Sequence, residues 1–457
     1  MCGVFGVQNS SKAAQYAFLG LYALQHRGEE SAGIAVYDGQ RGRAIKDRGL
    51  VEDVFKNVDM NQLSGKLALG HVRYSTTGSS NQVNVQPFMV NHKGTAIAVA
   101  HNGNLTNTRK LCQELEASGS IFQTSMDSEI LIHLLAKSKQ EDLKDKFKEA
   151  LGKVEGAYSA VFMVNDILVG GRDPFGVRPL SLGKMGDAYF FSSETCAFDL
   201  VGVEYIRDIE RGEIVFIHPD GLVESVFMEQ QAKARCIFEQ VYFARPDSLV
   251  FGDSISKQRK LLGKRLAEEA PCDADMVIAV PDSGNYAAMG YAEASGIPFE
   301  MGIVRNHYIG RTFIQSSQFM RDFRVKIKLN PIRDLVEGRR IILVDDSIVR
   351  GTTSRIRIKT LRECGVKEIH MRVSCPPVVS PCYYGMDFPS KEELIGASNS
   401  VDEIKDYIGV DSLSYLSLNG MKNALNGGGN LRFCDACFSG NYPIEKKDVG
   451  LKDVLET

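Results

Sequence analysis

The stretches "MCGVFGVQNS" and "RRIILVDDSIVRGTTS" hold the residues best suited to do chemistry. Cys2 directly follows Met1, so removal of one residue makes its thiol N-terminal. A cysteine in that position pairs a strong nucleophile with an α-amine of pKa roughly 7.7–8.0, which can accept a proton near neutrality. Acyl transfer also needs donors for an oxyanion. "AHNGNL" offers the Asn102 side-chain amide and the Gly103 backbone N–H for that purpose. Arg73 in "GHVRYST" can clamp a carboxylate in bidentate fashion, and Asp127 in "SMDSE" can accept from an ammonium group. Taken singly, each has an ordinary structural reading: a core thiol, a strand charge, a helix cap, a tight turn.

In the second stretch, Ile341 to Val344 form a continuous apolar run, as a parallel strand buried on both faces requires. Asp345 and Asp346 stand at its carboxyl end, where open α/β sheets place their ligands. Ser347 to Ser354 follow, with Arg350, Gly351, Thr352 and Thr353 between them. Such a loop entering a helix cradles an anion through hydroxyls and backbone N–H groups. Adjacent carboxylates beside an anion site call for a cation or ribose hydroxyls, which points to a sugar phosphate with magnesium. "VPDSGNYAA" ends another apolar strand and makes Ser283 a second candidate near the metal. No Walker A loop is present and no GxGxxG follows a strand, so ATP and dinucleotide binding find no support.

These residues need a sizeable frame. A chain of 457 residues exceeds one ordinary core and predicts two domains, divided near residue 230. The first half reads as strands and helices punctuated by glycine turns. "CGVFGV", "AGIAVYDG", "KLALGHVRYST", "TAIAVAHNGNL", "AYSAVFMVND", "DILVGGRDP" and "GDAYFFSSE" read as strands. "KAAQYAFLGLYALQHRG" and "SMDSEILIHLLAKSK" carry helical stripes, the second with Ser125 and Asp127 as start signals. The expected fold of residues 2–230 is an α+β sandwich, two sheets between helices. From there "DMVIAVP", "NYAAMGYAEASG", "RRIILVDDS", "TSRIRIKTLRECG" and "EIHMRVSCPP" alternate strand and helix, predicting an α/β domain with a parallel sheet over 231–457. The tail from about 390 reads as helical, with "ALNGGGNLRFCDACFSG" as an exposed loop region.

Composition excludes several classes. A net charge of −3 gives no reason to seek nucleic acid or an acidic membrane. No apolar run reaches the roughly 18–20 residues that span a bilayer, and "MCGVFGVQNS" lacks the pattern of a secretory signal. A cytoplasmic location is expected. Ten cysteines are few for a disulfide scaffold of this length, and Cys434 and Cys437 alone form a CxxC, which suggests a metal or redox centre.

Cys2 with "CGVFG", "LQHRGEESAGI", Arg73, Asn102-Gly103 and Asp127 resembles the class II glutamine amidotransferase domain of the N-terminal-nucleophile family over roughly residues 2–230. "VDDSIVRGTTS" resembles the phosphoribosyltransferase signature for phosphoribosyl pyrophosphate (PRPP). The whole chain is similar to the glutamine PRPP amidotransferase family. That resemblance implies glutamine hydrolysis at Cys2 and transfer of ammonia through an internal route to PRPP, giving 5-phosphoribosylamine and pyrophosphate for purine synthesis. It implies that Asp345 and Asp346 hold ribose hydroxyls and Mg²⁺ with Ser283, and that the loop Ser347–Ser354 takes the 5-phosphate. It makes "NHYIGRTFIQ", with Gly310 and Arg311, a loop that folds over PRPP. Tyr74 lies where the two sites could be coupled.

Cys236, Cys382, Cys434 and Cys437 fall where one branch of the family carries a [4Fe-4S] cluster. Spacing alone leaves a Cys₄ zinc site equally open. The family also implies purine nucleotides as feedback inhibitors and a homotetramer or homodimer. Two departures stand out. Only Met1 precedes Cys2, so methionine removal is the maturation expected. Gly284 replaces a second serine after "PDS", leaving Ser283 to carry that role. The alternatives are another class II amidotransferase, which would lack the "VDDSIVRGTTS" string, or a PRPP-binding purine regulator, which would need a basic DNA-binding face.

Overall fold

The computed structural model describes residues 1–74, 81–306, 329–388, 390–426 and 432–445. Two large antiparallel sheets occupy the first half. One has seven strands in the spatial order Glu204–Asp208, Ser181–Met185, Ala188–Ser192, Gly3–Gln8, Leu67–Arg73, Ser31–Tyr37 and Gly42–Arg48. The other has six, in the order Val223–Phe227, Glu213–Ile217, Ile167–Arg172, Gly156–Val164, Thr95–Leu105 and Phe88–His92.

The sheets face each other across a core that includes Val4, Leu69, Ala98, Ala100, Val161 and Leu168. Helices Ala13–Ala23 and Cys196–Val201 cover the outer face of the first sheet. Helices Thr108–Ala117, Asp127–Lys137 and Leu143–Gly152 cover that of the second. The weak alternation of "CGVFGV" now has a cause. Gly3–Gln8 is buried along its whole length, with Val4 turned between the sheets while Phe5 and Val7 meet the helical layer. Both faces are apolar because both are covered.

In the second half four strands pair in parallel in the order Met276–Ala279, Arg340–Asp345, Glu368–Val373 and Ser412–Tyr415. Helices Asn285–Ser295 and Thr352–Glu363 follow the first two strands, as the alternating pattern predicts.

Three local expectations need correction. The tail is not wholly helical, because Ser412–Tyr415 supplies the fourth strand of the parallel sheet. Its cysteine-bearing part is not an exposed loop either: Ala436, Cys437 and Phe438 are buried in a short helix, Ala436–Ser439. The helix Asp127–Lys137 starts after Met126 with no side-chain cap, so Ser125 does not serve as its N-cap. Asp127 spends its carboxylate elsewhere, as described next.

Candidate active sites

Cys2 sits buried where the two large sheets meet. Gly3 pairs with Val72, which puts Arg73 at the same end of its strand as Cys2. Cys2 N donates to Asn102 Oδ1 at 3.1 Å, and the thiol donates to Tyr74 O at 3.6 Å. Asn102 lies on strand Thr95–Leu105 of the opposite sheet, so this contact joins the sheets at Cys2. The Asn102 Nδ2 group is buried and finds no hydrogen-bond acceptor among the described residues. A buried idle donor costs about 1–3 kcal/mol, a cost that a developing oxyanion would repay.

Gly103 pairs with Tyr158 at φ +148°, and a Cβ there would lie 2.0 Å from Ala157 O. No side chain fits. Arg73 is buried and pairs with Glu30 at 3.2 Å.

Asp127 accepts from Leu105 N at 3.0 Å and stands 3.4 Å from His101 Nδ1. Burial alone would raise the Asp127 pKa. The charge of His101 and its hydrogen bond outweigh that and hold the carboxyl below its usual range. Burial likewise opposes the His101 imidazolium, but Asp127 prevails and raises its pKa. His101 O in turn contacts His71 Nε2 at 3.1 Å. The structure therefore gathers Cys2, Asn102 and Gly103 directly, ties Asp127 to the same strand through Leu105, and sets Arg73 beside them.

A residue with no assigned role in the sequence reading lies beneath the nucleophile. Fully buried Arg27 donates from Nε to Cys2 O at 3.0 Å. Its Nη1 also bonds Glu194, and Nη2 reaches Glu239 at 2.8 Å. Glu194 further accepts from His26 at 2.8 Å, Arg245 N at 2.8 Å and Ser248 Oγ at 2.7 Å. Burial works against the Glu194 carboxylate, yet the His26 and Arg27 charges hold its pKa far below the usual range. In the sequence this hub shows as His26 and Arg27 within "LQHRG".

The second site forms at the ends of two parallel strands. Ser283 Oγ and Ser347 Oγ donate to the two Asp346 oxygens, each at 2.6 Å. Asp345 accepts from Asp346 N at 3.0 Å and from Arg357 Nη1 at 3.0 Å. Burial pushes the Asp345 carboxyl up to about 7, with Arg357 opposing and the Asp346 charge adding to the rise. Arg357, absent from the predicted set, projects from helix Thr352–Glu363 back to the strand end.

Gly351 is the N-cap residue of that helix, so Thr352, Thr353 and Ser354 form its first turn. Arg350 points away into an exposed ion pair with Glu393 at 2.8 Å. A Cβ on Gly284 would lie 2.7 Å from Val344 O, so a serine there would crowd the strand end. Gly310 and Arg311 lie outside the described residues.

The four tail-associated cysteines converge. Cys236 and Cys434 are register partners in a parallel pair of two-residue strands, Arg235–Cys236 and Phe433–Cys434. Together with Cys382 and Cys437 they line one small cavity, beside Arg178 and Tyr384. Burial raises the thiol pKa values of Cys236, Cys434 and Cys437 above the usual range, and neighbouring cysteines add to the rise. Among the described residues, no group of three or more His, Cys, Asp or Glu is gathered closely enough to hold a metal ion as it stands.

Comparison with known proteins adds independent weight. A glutamine amidotransferase domain family matches residues 71–199. The amidophosphoribosyltransferase of Bacillus subtilis is 47% identical over 460 residues, covering 100% of this chain and 97% of that protein. The chloroplastic amidophosphoribosyltransferase 2 of Arabidopsis thaliana is 48% identical over 453 residues, covering 99% and 81%. A solved structure of the B. subtilis glutamine PRPP amidotransferase complexed with ADP and GMP superposes with a TM-score of 0.94 at 46% identity, covering 99% and 100%. Identity and coverage of this order, with both sites on one chain, place the protein in the amidophosphoribosyltransferase family.

Proposed function

We propose that the chain hydrolyses glutamine at Cys2 and delivers the ammonia to PRPP, forming 5-phosphoribosylamine, glutamate and pyrophosphate in purine biosynthesis. In this reading residues 2–230 form the amide-hydrolysing domain and residues 231–457 the phosphoribosyl-transferring one. The observation that carries the reading is the Cys2–Asn102 contact with its idle Nδ2 donor. Removal of Met1 turns Cys2 N from an amide into an α-amine, which takes the thiol proton. The thiolate adds to the glutamine carboxamide, and Asn102 Nδ2 with the Gly103 N–H holds the oxyanion. Arg73 and Asp127 bind the substrate carboxylate and ammonium. The amine returns its proton to the leaving nitrogen, ammonia departs, and water cleaves the thioester to glutamate.

Ammonia then adds to the anomeric carbon of PRPP as pyrophosphate leaves. Asp345 and Asp346 orient the ribose hydroxyls. The first turn of helix Thr352–Glu363, with Ser347, Gly351 and, once it leaves Glu393, Arg350, takes the 5-phosphate, and the family resemblance assigns Arg311 to a covering loop. Ser283, Asp345 and Asp346 are hard oxygen donors too few for a protein-only cage. That suits Mg²⁺, which is held by one or two carboxylates and completes its shell with substrate phosphates and water. Bound there, Mg²⁺ would neutralise charge on the departing pyrophosphate. An internal route would spare the ammonia from protonation in water, and Tyr74, whose carbonyl accepts from the Cys2 thiol, would couple the two sites. With glutamine, PRPP and Mg²⁺ the protein is expected to release glutamate and pyrophosphate in equal amounts. Glutamate release without PRPP consumption would overturn the assignment.

Cys236, Cys382, Cys434 and Cys437 would hold a [4Fe-4S] cluster, which would supply a rigid cross-link between distant segments. Four thiols lining one cavity support a metal centre there, and the family resemblance favours a [4Fe-4S] cluster over zinc. Protein purified without oxygen is expected to contain about four iron and four acid-labile sulfide per chain. One zinc and no sulfide would reject the cluster.

Purine nucleotides are the expected inhibitors, in line with the ADP and GMP bound to the B. subtilis protein. A homotetramer or homodimer in the cytoplasm fits this role. Among the described residues no helix is long and apolar enough to cross a membrane.

A further inference from the structure

The segment that carries Cys382 leans directly on the strand that carries the oxyanion donors. Tyr383 O accepts from Asn104 Nδ2 at 3.0 Å, and Tyr384 O accepts from Arg178 Nε at 2.8 Å. Gly385 follows at φ +101°. A Cβ added to it would stand 2.9 Å from both the carbonyl carbon and the oxygen of Gly103, and 3.0 Å from its Cα. These are backbone atoms and cannot swing aside. Gly103 is also tight against its own sheet, since a Cβ on it would meet Ala157 O at 2.0 Å. The Gly103 peptide is thus packed closely against both strand Gly156–Val164 and a residue 282 positions along the chain.

We infer that Gly385 is a positioning residue for glutamine hydrolysis, and that its missing side chain sets where the Gly103 N–H stands relative to Cys2. The inference rests on the reading of Asn102 and Gly103 as oxyanion donors. A side chain at 385 fits only at the cost of a backbone shift, which moves the Gly103 peptide out of line. Oxyanion donors act over a few tenths of an ångström, and they matter most in the transition state. The damage should therefore fall on turnover more than on substrate binding.

The test is Gly385→Ala beside Gly296→Ala. Gly296 ends helix Asn285–Ser295 at φ +73° with nothing within 4 Å of an added Cβ, so it controls for backbone cost alone. Gly385→Ala is expected to lower kcat for glutamine hydrolysis by roughly 10²-fold. The glutamine KM and the ammonia-dependent rate should stay within about twofold. Gly296→Ala should change none of these.

Unchanged glutaminase kcat would overturn the inference, and so would a proportional loss of ammonia-dependent synthesis. Where Gly385→Ala does not fold or loses its iron, Asn104→Ala decides, because it cuts the tie to Tyr383 without adding bulk. A kcat about tenfold lower with ammonia-dependent turnover kept supports the inference, and an unchanged kcat overturns it. Cys2→Ala protein that still hydrolysed glutamine would instead sink the underlying reading, however Gly385→Ala behaved.

Discussion

Cys2→Ala is expected to abolish glutamine-dependent phosphoribosylamine synthesis, by on the order of 10⁴-fold or more, and to leave the ammonia-dependent reaction intact. The expected loss is large because the substitution removes the attacking sulfur, and the α-amine that remains has no thiol proton to take. Asn102 and Gly103 can stabilise an oxyanion only once an attacking atom has created it. The ammonia-dependent reaction survives because Asp345, Asp346 and their serine partners lie on the separate parallel sheet. The measurement is steady-state pyrophosphate release with glutamine or with ammonium as nitrogen source. A folded variant that lost both activities equally would count against separate duties for the two halves. Protein that kept Met1 and still consumed glutamine at full rate would remove the role of the free α-amine. In that form the terminal amine belongs to Met1, where burial pushes it down to about 5.

Asp346→Asn should instead depress both reactions, by roughly 10²- to 10³-fold in kcat/KM for PRPP. Asp346 accepts from Ser283 and Ser347 at once, so its charge aligns groups from two strand ends. Asparagine keeps the size but loses one acceptor oxygen and the charge. One serine then faces an amide N–H and must turn to accept, which reverses that bond and pulls the hydroxyl out of its alignment. The assay is ammonia-dependent turnover across a series of PRPP and Mg²⁺ concentrations. Survival of ammonia-dependent turnover at the level of the unaltered protein would refute the ribose–metal role. Asp346→Asn is preferable to a change at Asp345, whose removal would strand the half-buried Arg357 without its counter-ion.

Much of this architecture was legible in the chain. Ile341 to Val344 read as a strand buried on both faces, and the paired aspartates fall at its end as that reading requires. The alternating pattern after residue 275 likewise foretold the parallel sheet. The short strand Ser412–Tyr415 escaped notice because its Ser-Leu-Ser-Tyr alternation lasts only four residues inside a tail that otherwise reads as helical. Ala436–Phe438 looked exposed because the neighbouring glycines and asparagines suggest a loop, whereas the helix is buried against the cysteine cavity.

Residues joined across the chain were the hardest to read. Arg27, Glu194 and Glu239 are fully buried, although composition alone would put charged side chains at the surface. Only tertiary structure supplies the partners that make such burial tolerable. Asp127 shows the same limit in reverse, since its place at a helix start suggests a cap while its carboxylate serves Leu105 N and His101.

The buried Arg27 contacts also bear on how this chain could be recombined. Cys2 O, Glu194 and Glu239 share one guanidinium, so the electrostatic border between the catalytic units runs through the floor of the first active site rather than along the peptide that links them. An amide-hydrolysing module excised at residue 230 would leave behind Glu239, Arg245 and Ser248, all partners of Arg27 or Glu194. Breaking a buried ion pair typically costs about 3–5 kcal/mol. A chimera that grafts this module onto a different acceptor enzyme would have to carry the stretch through Ser248 with it.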